Sequence, residues 1–224
     1  YKGDKIMFKA VIFDLDGTLL NTIDDLADAG NYALAEQGFP TYPVERYKYF
    51  VGNGIPKLIE RIVPAGSSKE IIEKTHSLFS SFYEVHMRDK TAPYAGITEM
   101  LDKLIEKNIK LGVVTNKAHE FAAEIVKSYF GSRFDKVFGE RTGFPKKPDP
   151  INVNKMIEEW GLDKSEVLYA GDSNVDMETA RNAEVKGCGV LWGFRTKEEL
   201  IESGAVYLAK DADEFYRIVT GNTL

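Results

Sequence analysis

A chain of 224 residues is long enough for a full α/β core and a smaller appendage, and 43% apolar with 29% charged residues is a globular balance that excludes disorder. A formal net charge of -6 excludes a general nucleic-acid binder, which needs Lys and Arg in clustered excess, and leaves a small anionic substrate held by local positive charge. The lone Cys188 excludes an internal disulfide and a thiolate metal cluster and reads as a buried structural thiol; with no apolar run able to span a bilayer and no signal sequence, a cytoplasmic location without membrane attachment is expected.

Residues 1–6 fit no element and read as a remnant of recombinant expression. A strand is predicted over 9–13, where an apolar, β-branched run begins almost at once after Met7. From 22 to 87 no strand is evident, but amphipathic helical patterns cover 24–37, 55–62 and 69–87. Pro93 and Gly96 mark a return, and apolar residues at Ile97, Met100, Leu101, Leu104 and Ile105 predict a helix over 97–107 packed on a sheet. Further strands are predicted over 110–114, 136–138, 167–170 and 189–191. The alternation predicts an α/β fold: a Rossmann-like, doubly wound parallel sheet core (7–20 and 90–224) with an inserted α-helical cap domain (21–89). An insert placed directly after the first strand sits over the carboxyl ends of the strands, where ligands bind in such sheets, so a lid that closes during turnover is expected.

Chemistry-bearing residues gather where these strands end. Asp14 and Asp16 stand two apart in Phe13-Asp14-Leu15-Asp16-Gly17-Thr18, where a solvated turn is the bland explanation. Thr115 and Asn116 end the second core strand and offer a hydroxyl and an amide, although Thr-Asn is also a common helix N-cap. Lys146 and Lys147 lie in a proline-restricted loop, Phe144-Pro145-Lys146-Lys147-Pro148-Asp149-Pro150, and Asp172 and Asp176 open a helix as either a hard-cation site or a cap. Each feature alone has an ordinary structural explanation. Together they supply what phosphoryl transfer needs: a nucleophile, a divalent cation, hydroxyl and amide donors, and a fixed positive charge.

In order and position, Asp14-x-Asp16-Gly17-Thr18, Thr115-Asn116, Lys147-Pro148 and Gly171-Asp172-Ser173-x-x-Asp176 resemble the four motifs of the haloacid dehalogenase (HAD) superfamily of phosphohydrolases. The stretches 190–195 and 175–180 are similar to phosphoglycolate phosphatases, and the insert resembles the small helical cap of the first subfamily. The resemblance implies a Mg2+-dependent phosphatase that works through an aspartyl phosphate on Asp14. Asp16 would protonate the leaving oxygen and then activate water. Mg2+ would be held by Asp14, the Asp16 carbonyl and Asp172, with Asp176 mainly behind them. Thr115, the Asn116 backbone and Lys147 would bind the phosphoryl oxygens; the family pattern selects Lys147 over Lys146, and a cis Lys147–Pro148 peptide is expected. Asn21 departs from the Asp often found in relatives, with no expected effect on chemistry.

Substrate choice in this family falls to the cap, where Gly52, Asn53 and Gly54, followed by Lys57 and Arg61, form the best candidate contact loop. Lys57 or Arg61 would suit a small acidic leaving group such as glycolate, and the partner expected is a small phosphorylated metabolite acted on by a monomer or homodimer. A sugar phosphomutase of the β-phosphoglucomutase type shares these motifs. So does a phosphonoacetaldehyde hydrolase, for which Lys57 would be the Schiff-base lysine. A phospho-receiver signalling module lacks a counterpart of Asp16 and a use for the insert, and a dinucleotide-binding dehydrogenase lacks its glycine motif after Phe13. His76, His86 and His119 show no ligand or nucleophile spacing and are assigned to packing or surface.

Overall fold

The apolar run Ala10–Phe13 forms β1, buried along its whole length as a central parallel strand must be. A short β2 (Leu20–Asn21) leads into α1 (Ile23–Ala35), α2 (Val44–Phe50), α3 (Ile55–Ile62) and α4 (Lys69–His86), and β3 (Ala92–Pro93) returns antiparallel beside β2. Helices and strands then alternate: α5 (Ile97–Glu106), β4 (Lys110–Ala118), α6 (His119–Phe130), β5 (Lys136–Glu140), α7 (Ile151–Trp160), β6 (Val167–Gly171), α8 (Asn174–Asn182), β7 (Lys186–Val190), α9 (Lys197–Glu202), β8 (Tyr207–Ala209) and α10 (Ala212–Thr220). This computed structural model describes residues 8–221, so the 1–6 extension, Met7 and the last three residues lie outside the described residues.

Six strands form one parallel sheet in the order β5-β4-β1-β6-β7-β8. The chain builds outward from β1 through β4 to β5, then crosses back to β6 on the other side, which makes β1 and its two neighbours the switch point of a doubly wound sheet. Register pairs Phe13 with Val113 on one side and Ala170 on the other, so the residues that follow each strand leave the sheet at one level.

Apolar side chains fill both sheet faces, with Phe13, Leu101, Ile125 and Phe215 on one and Ile12, Val114, Met156 and Tyr169 on the other. The helices between β2 and β3 bury a separate cluster around Leu34, Tyr47, Ile59, Phe79 and Tyr83. Asp25, itself buried, accepts from Lys90 N and Thr91 N at 3.0 and 2.8 Å and so ties the start of the insert to its end. Helix α2 escaped the sequence pattern because seven residues give too few turns to show a period. Cys188 is fully buried on β7, and among the described residues no helix is long and apolar enough to cross a membrane.

Candidate active site

Asp14 and Asp172 follow the ends of adjacent strands β1 and β6, and the first turn of α8 brings Asp176 beside them. Oxygens of the three carboxylates lie within 4.8 Å of one another, all buried. Lys147 Nζ enters this cluster from the loop before α7 and donates to Asp14 Oδ1 and Asp176 Oδ1, each at 2.7 Å. Its peptide bond to Pro148 is cis, as expected. Lys146 instead pairs with Glu140 at 2.7 Å, so Lys147 is the lysine brought to the cluster.

One ammonium among three buried carboxylates leaves the site short of positive charge. Burial first, then Asp176, raises the Asp14 carboxyl to about 7 even though Lys147 pulls the other way. Burial, with Asp176 and Asp14 behind it, likewise holds Asp172 well above the usual carboxylate range. For Lys147 burial alone would act downward, but Asp14 and Asp176 outweigh it and hold it well above an ordinary lysine.

These features fit a hard divalent cation, for which buried carboxylate oxygens are the preferred donors. Asp14 keeps one oxygen without a donor, and no Lys or Arg nitrogen pairs with Asp172, among the described residues. Asp172 is instead oriented by Phe194 N at 2.7 Å and Thr18 Oγ1 at 3.4 Å. Asp176 is less available. Its Oδ2 accepts from Ser173 N and Oγ at 3.0 and 2.6 Å, closing a capping box on α8, while its Oδ1 holds Lys147 and Tyr169. Gly17 fits between these groups because a Cβ there would stand 2.3 Å from Asp172 Oδ2, and its φ of +90° suits glycine alone.

The capping explanations for Asp172 and Thr115-Asn116 do not hold. Ser173 is the N-cap of α8, and β4 runs on to Ala118, carrying Thr115 and Asn116 on the strand itself. Thr115 Oγ1 accepts from Lys117 N at 3.2 Å, which leaves its proton free to donate. The Asn116 side chain is fully used: Oδ1 accepts from Lys147 N at 2.8 Å, and Nδ2 donates to Lys147 O and Gly52 O. It therefore fixes the lysine loop and the insert loop against β4.

A cavity of about 50 Å³ opens between Asp14, Asp16, Thr115, Asn116 and Lys117 below and Leu26, Val51, Gly52, Gly54, Ile55 and Leu58 above. That is several times the roughly 10–15 Å³ one water needs. Gly52 and Gly54 of the predicted contact loop line it, whereas Asn53, Lys57 and Arg61 line an open groove alongside, next to Lys146 and Lys147. Lys57 Nζ is engaged by Glu60 at 2.6 Å on an exposed face. Arg61 donates to Phe50 O and Asn53 Oδ1, both at 2.8 Å, and so braces the loop rather than reaching into the cavity. Sequence reasoning missed Lys117, which is buried and donates to both Asp16 oxygens at 3.2 and 3.4 Å and to Tyr83 Oη of α4 at 2.6 Å.

Comparison with known proteins agrees with this geometry: a family model described as haloacid dehalogenase-like hydrolase matches residues 11–190, a span that holds all four motifs. The chain belongs to that family. A phosphoglycolate phosphatase of Vibrio parahaemolyticus is 31% identical over 218 residues, covering 94% of this chain and 96% of that protein. Another, from Photorhabdus laumondii subsp. laumondii, is 32% identical over 196 residues, covering 86% and 84%. A solved structure from Lactobacillus delbrueckii subsp. bulgaricus matches with a TM-score of 0.92 at 31% identity, covering 96% of this chain and 100% of that one.

Just beyond the matched span, this haloacid dehalogenase-like hydrolase carries a segment that joins site to insert. Trp192 Nε1 donates to Thr18 O at 2.9 Å, Phe194 N holds Asp172, and the Phe194 ring packs into the apolar cluster of the insert. Arg195 donates to the carbonyls of Lys48 and Val51 and stacks over Tyr49. In the sequence these residues carried only a resemblance; their bridging role needs the third dimension. His86 pairs with Asp89, and His119 Nδ1 accepts from Gly139 N, so neither approaches the site.

Proposed function

We propose that this enzyme hydrolyses a small phosphate monoester of the phosphoglycolate type, with Asp14 as nucleophile and Mg2+ as cofactor. The observation that carries the proposal is the convergence of Asp14, Thr115, Lys147 and Asp172 at one edge of the sheet, under a small, partly apolar cavity. Curated relatives named phosphoglycolate phosphatase, at 31–32% identity, support the substrate class.

In the first half of the reaction a carboxylate oxygen of Asp14 attacks phosphorus, the bond to the leaving oxygen breaks, and Asp16 gives that oxygen its proton. In the second half water attacks phosphorus, Asp16 takes the proton back, and the bond to Asp14 breaks to release inorganic phosphate. Lys147 and the Thr115 hydroxyl meet the charge on the transferring group. Asp14 and Asp172, with the Asp16 carbonyl, would hold Mg2+, which when bound supplies the positive charge that keeps Asp14 ionised and neutralises phosphoryl oxygens. Asp176 acts by holding Lys147 and Ser173.

Residues 21–89 serve as a cap that excludes water, the wall of the cavity being set by Gly52, Gly54 and their apolar neighbours. Lys57, engaged by Glu60 and exposed, lacks the desolvated surroundings that activate a Schiff-base lysine, which counts against the phosphonate alternative. The lone buried thiol suits action in a reducing cytoplasm. Phosphate release from 2-phosphoglycolate, hexose phosphates and p-nitrophenyl phosphate, with Mg2+ or EDTA, tests the proposal. Mg2+-dependent turnover lost in Asp14→Asn is expected; activity surviving in that variant would sink the nucleophile assignment.

A further inference from the structure

Lys117 is a buried lysine that phosphoryl binding does not use. Its side chain is 3% exposed, against 19% for Asp16, and both residues line the floor of the cavity. An ammonium has three N–H donors. Here Asp16 Oδ1, Asp16 Oδ2 and Tyr83 Oη take them at 3.2, 3.4 and 2.6 Å, and the Tyr83 ring lies 4.8 Å beneath the cation. None is left for a substrate. Among the described residues Lys117 is also the sole hydrogen-bond partner of the Asp16 carboxylate. A carboxylate accepting on both oxygens from one fixed nitrogen is held in its plane and aim.

Tyr83 belongs to the insert, on α4, and Lys117 to β4 of the sheet. The fork on Asp16 is therefore assembled from both sides of the cavity. We infer that Lys117, anchored by Tyr83, is a positioning residue for the second half-reaction: it aims the Asp16 carboxylate at the water that hydrolyses the phosphoenzyme, and does so while the insert is seated. The inference rests on Asp14 as nucleophile and Asp16 as acid and base.

p-Nitrophenyl phosphate separates the two halves, because p-nitrophenolate leaves as a stable anion and needs no proton from Asp16. In Lys117→Met, kcat and KM should fall together by about 10- to 100-fold, a fraction of what general-base catalysis contributes, with kcat/KM kept within about threefold. Rapid mixing should show a burst of p-nitrophenolate approaching one per enzyme, ahead of slow turnover. Tyr83→Phe keeps the ring and removes the hydroxyl, and should show the same split, more weakly, if Lys117→Met does not fold. Asp16→Asn and Asp14→Asn run alongside. A burst in Asp16→Asn but none in the Lys117 and Tyr83 variants, or an equal loss in kcat/KM and kcat, would overturn the inference alone. No burst in Asp16→Asn, or turnover in Asp14→Asn, would overturn the assignments beneath it.

Discussion

Replacing Asp14 by Asn should abolish turnover and, in EDTA at pH 8, make the protein more stable. Burial and Asp176 raise the Asp14 carboxyl from 3.8 to about 7, which corresponds to about 4 kcal/mol between its two protonation states. Above pH 7 the metal-free fold bears that penalty as an ionised Asp14, whereas Asn mimics the neutral form. Asp172 and Asp176 share the same field, and a proton lodged on Asp172 relieves part of it, so the expected gain is about 2–4 kcal/mol. At about 2–4 °C per kcal/mol for a chain of this size, the variant should melt about 4–16 °C higher.

The sign follows from proton counting. Between pH 3.8 and about 7 the folded protein keeps a proton on Asp14 that the unfolded chain has lost, so raising the pH destabilises the fold across that window. Asn binds no proton, so the gap between variant and wild type should be absent below the window, open through it, and stay level above pH 7. Thermal unfolding followed by circular dichroism at pH 5, 6, 7 and 8 in EDTA measures it. A gap of the same size at pH 5 and pH 8, or a variant less stable at pH 8, would refute the reasoning. Mg2+ at 100 times Kd should close most of the gap, because ligand binding there stabilises by about 2.7 kcal/mol, and the variant has lost a ligand.

Lys147→Met should act in the opposite direction, costing about 3–5 kcal/mol at pH 8 by leaving buried carboxylates without their cation, and less at pH 5, where the raised Asp14 carboxyl holds a proton; the same unfolding series checks it. Gly171→Ala would place a Cβ 2.2 Å from Asp176 Cβ, so a loss of about 1–3 kcal/mol and of most activity is expected from melting curves and phosphate release. Arg61→Ala should raise KM several-fold, equally for carboxylated and uncharged substrates, since Arg61 braces the 51–54 loop. Lys57→Ala should leave kinetics within about twofold, as expected for one half of an exposed ion pair.

Most of the fold was legible because parallel strands buried on both faces leave uninterrupted apolar runs, and 10–13 and 167–170 are such runs. The motif residues were legible for a related reason: each stands within a few positions of a strand end, so topology alone brings them together. Lys117 was hidden because the strand carrying it was expected to stop at 114, and a lysine beyond a strand end reads as solvated charge. β4 in fact continues to Ala118 with Thr115, Asn116 and Lys117 all buried. Only the partners, 34 and 101 positions away in sequence, reveal its role. Arg61 misled for the converse reason, since a cation beside a glycine loop suggests an anion but here satisfies a backbone carbonyl and a neighbouring amide.

The polar bonds between insert and sheet gather around the cavity. Asn116 reaches Gly52 O, Arg195 reaches the carbonyls of Lys48 and Val51, and Lys117 reaches Tyr83. Each bond involves a residue one or two positions from one that the proposed chemistry uses: Asn116 and Lys117 follow Thr115, and Arg195 follows Phe194, which holds Asp172. On the far side the insert is tied by the β2–β3 pair and the Asp25 clasp, neither of which touches the cavity. Because the insert has an apolar cluster of its own, opening would break the hydrogen bonds at the cavity, which water can replace at small net cost, the exposed Arg88–Glu124 pair, and the contacts of Phe194 and Phe121 with that cluster. Motion about the ribbon would then disassemble the supports of Asp16 and Asp172 together, so the same displacement that admits a substrate also withdraws the groups proposed to act on it.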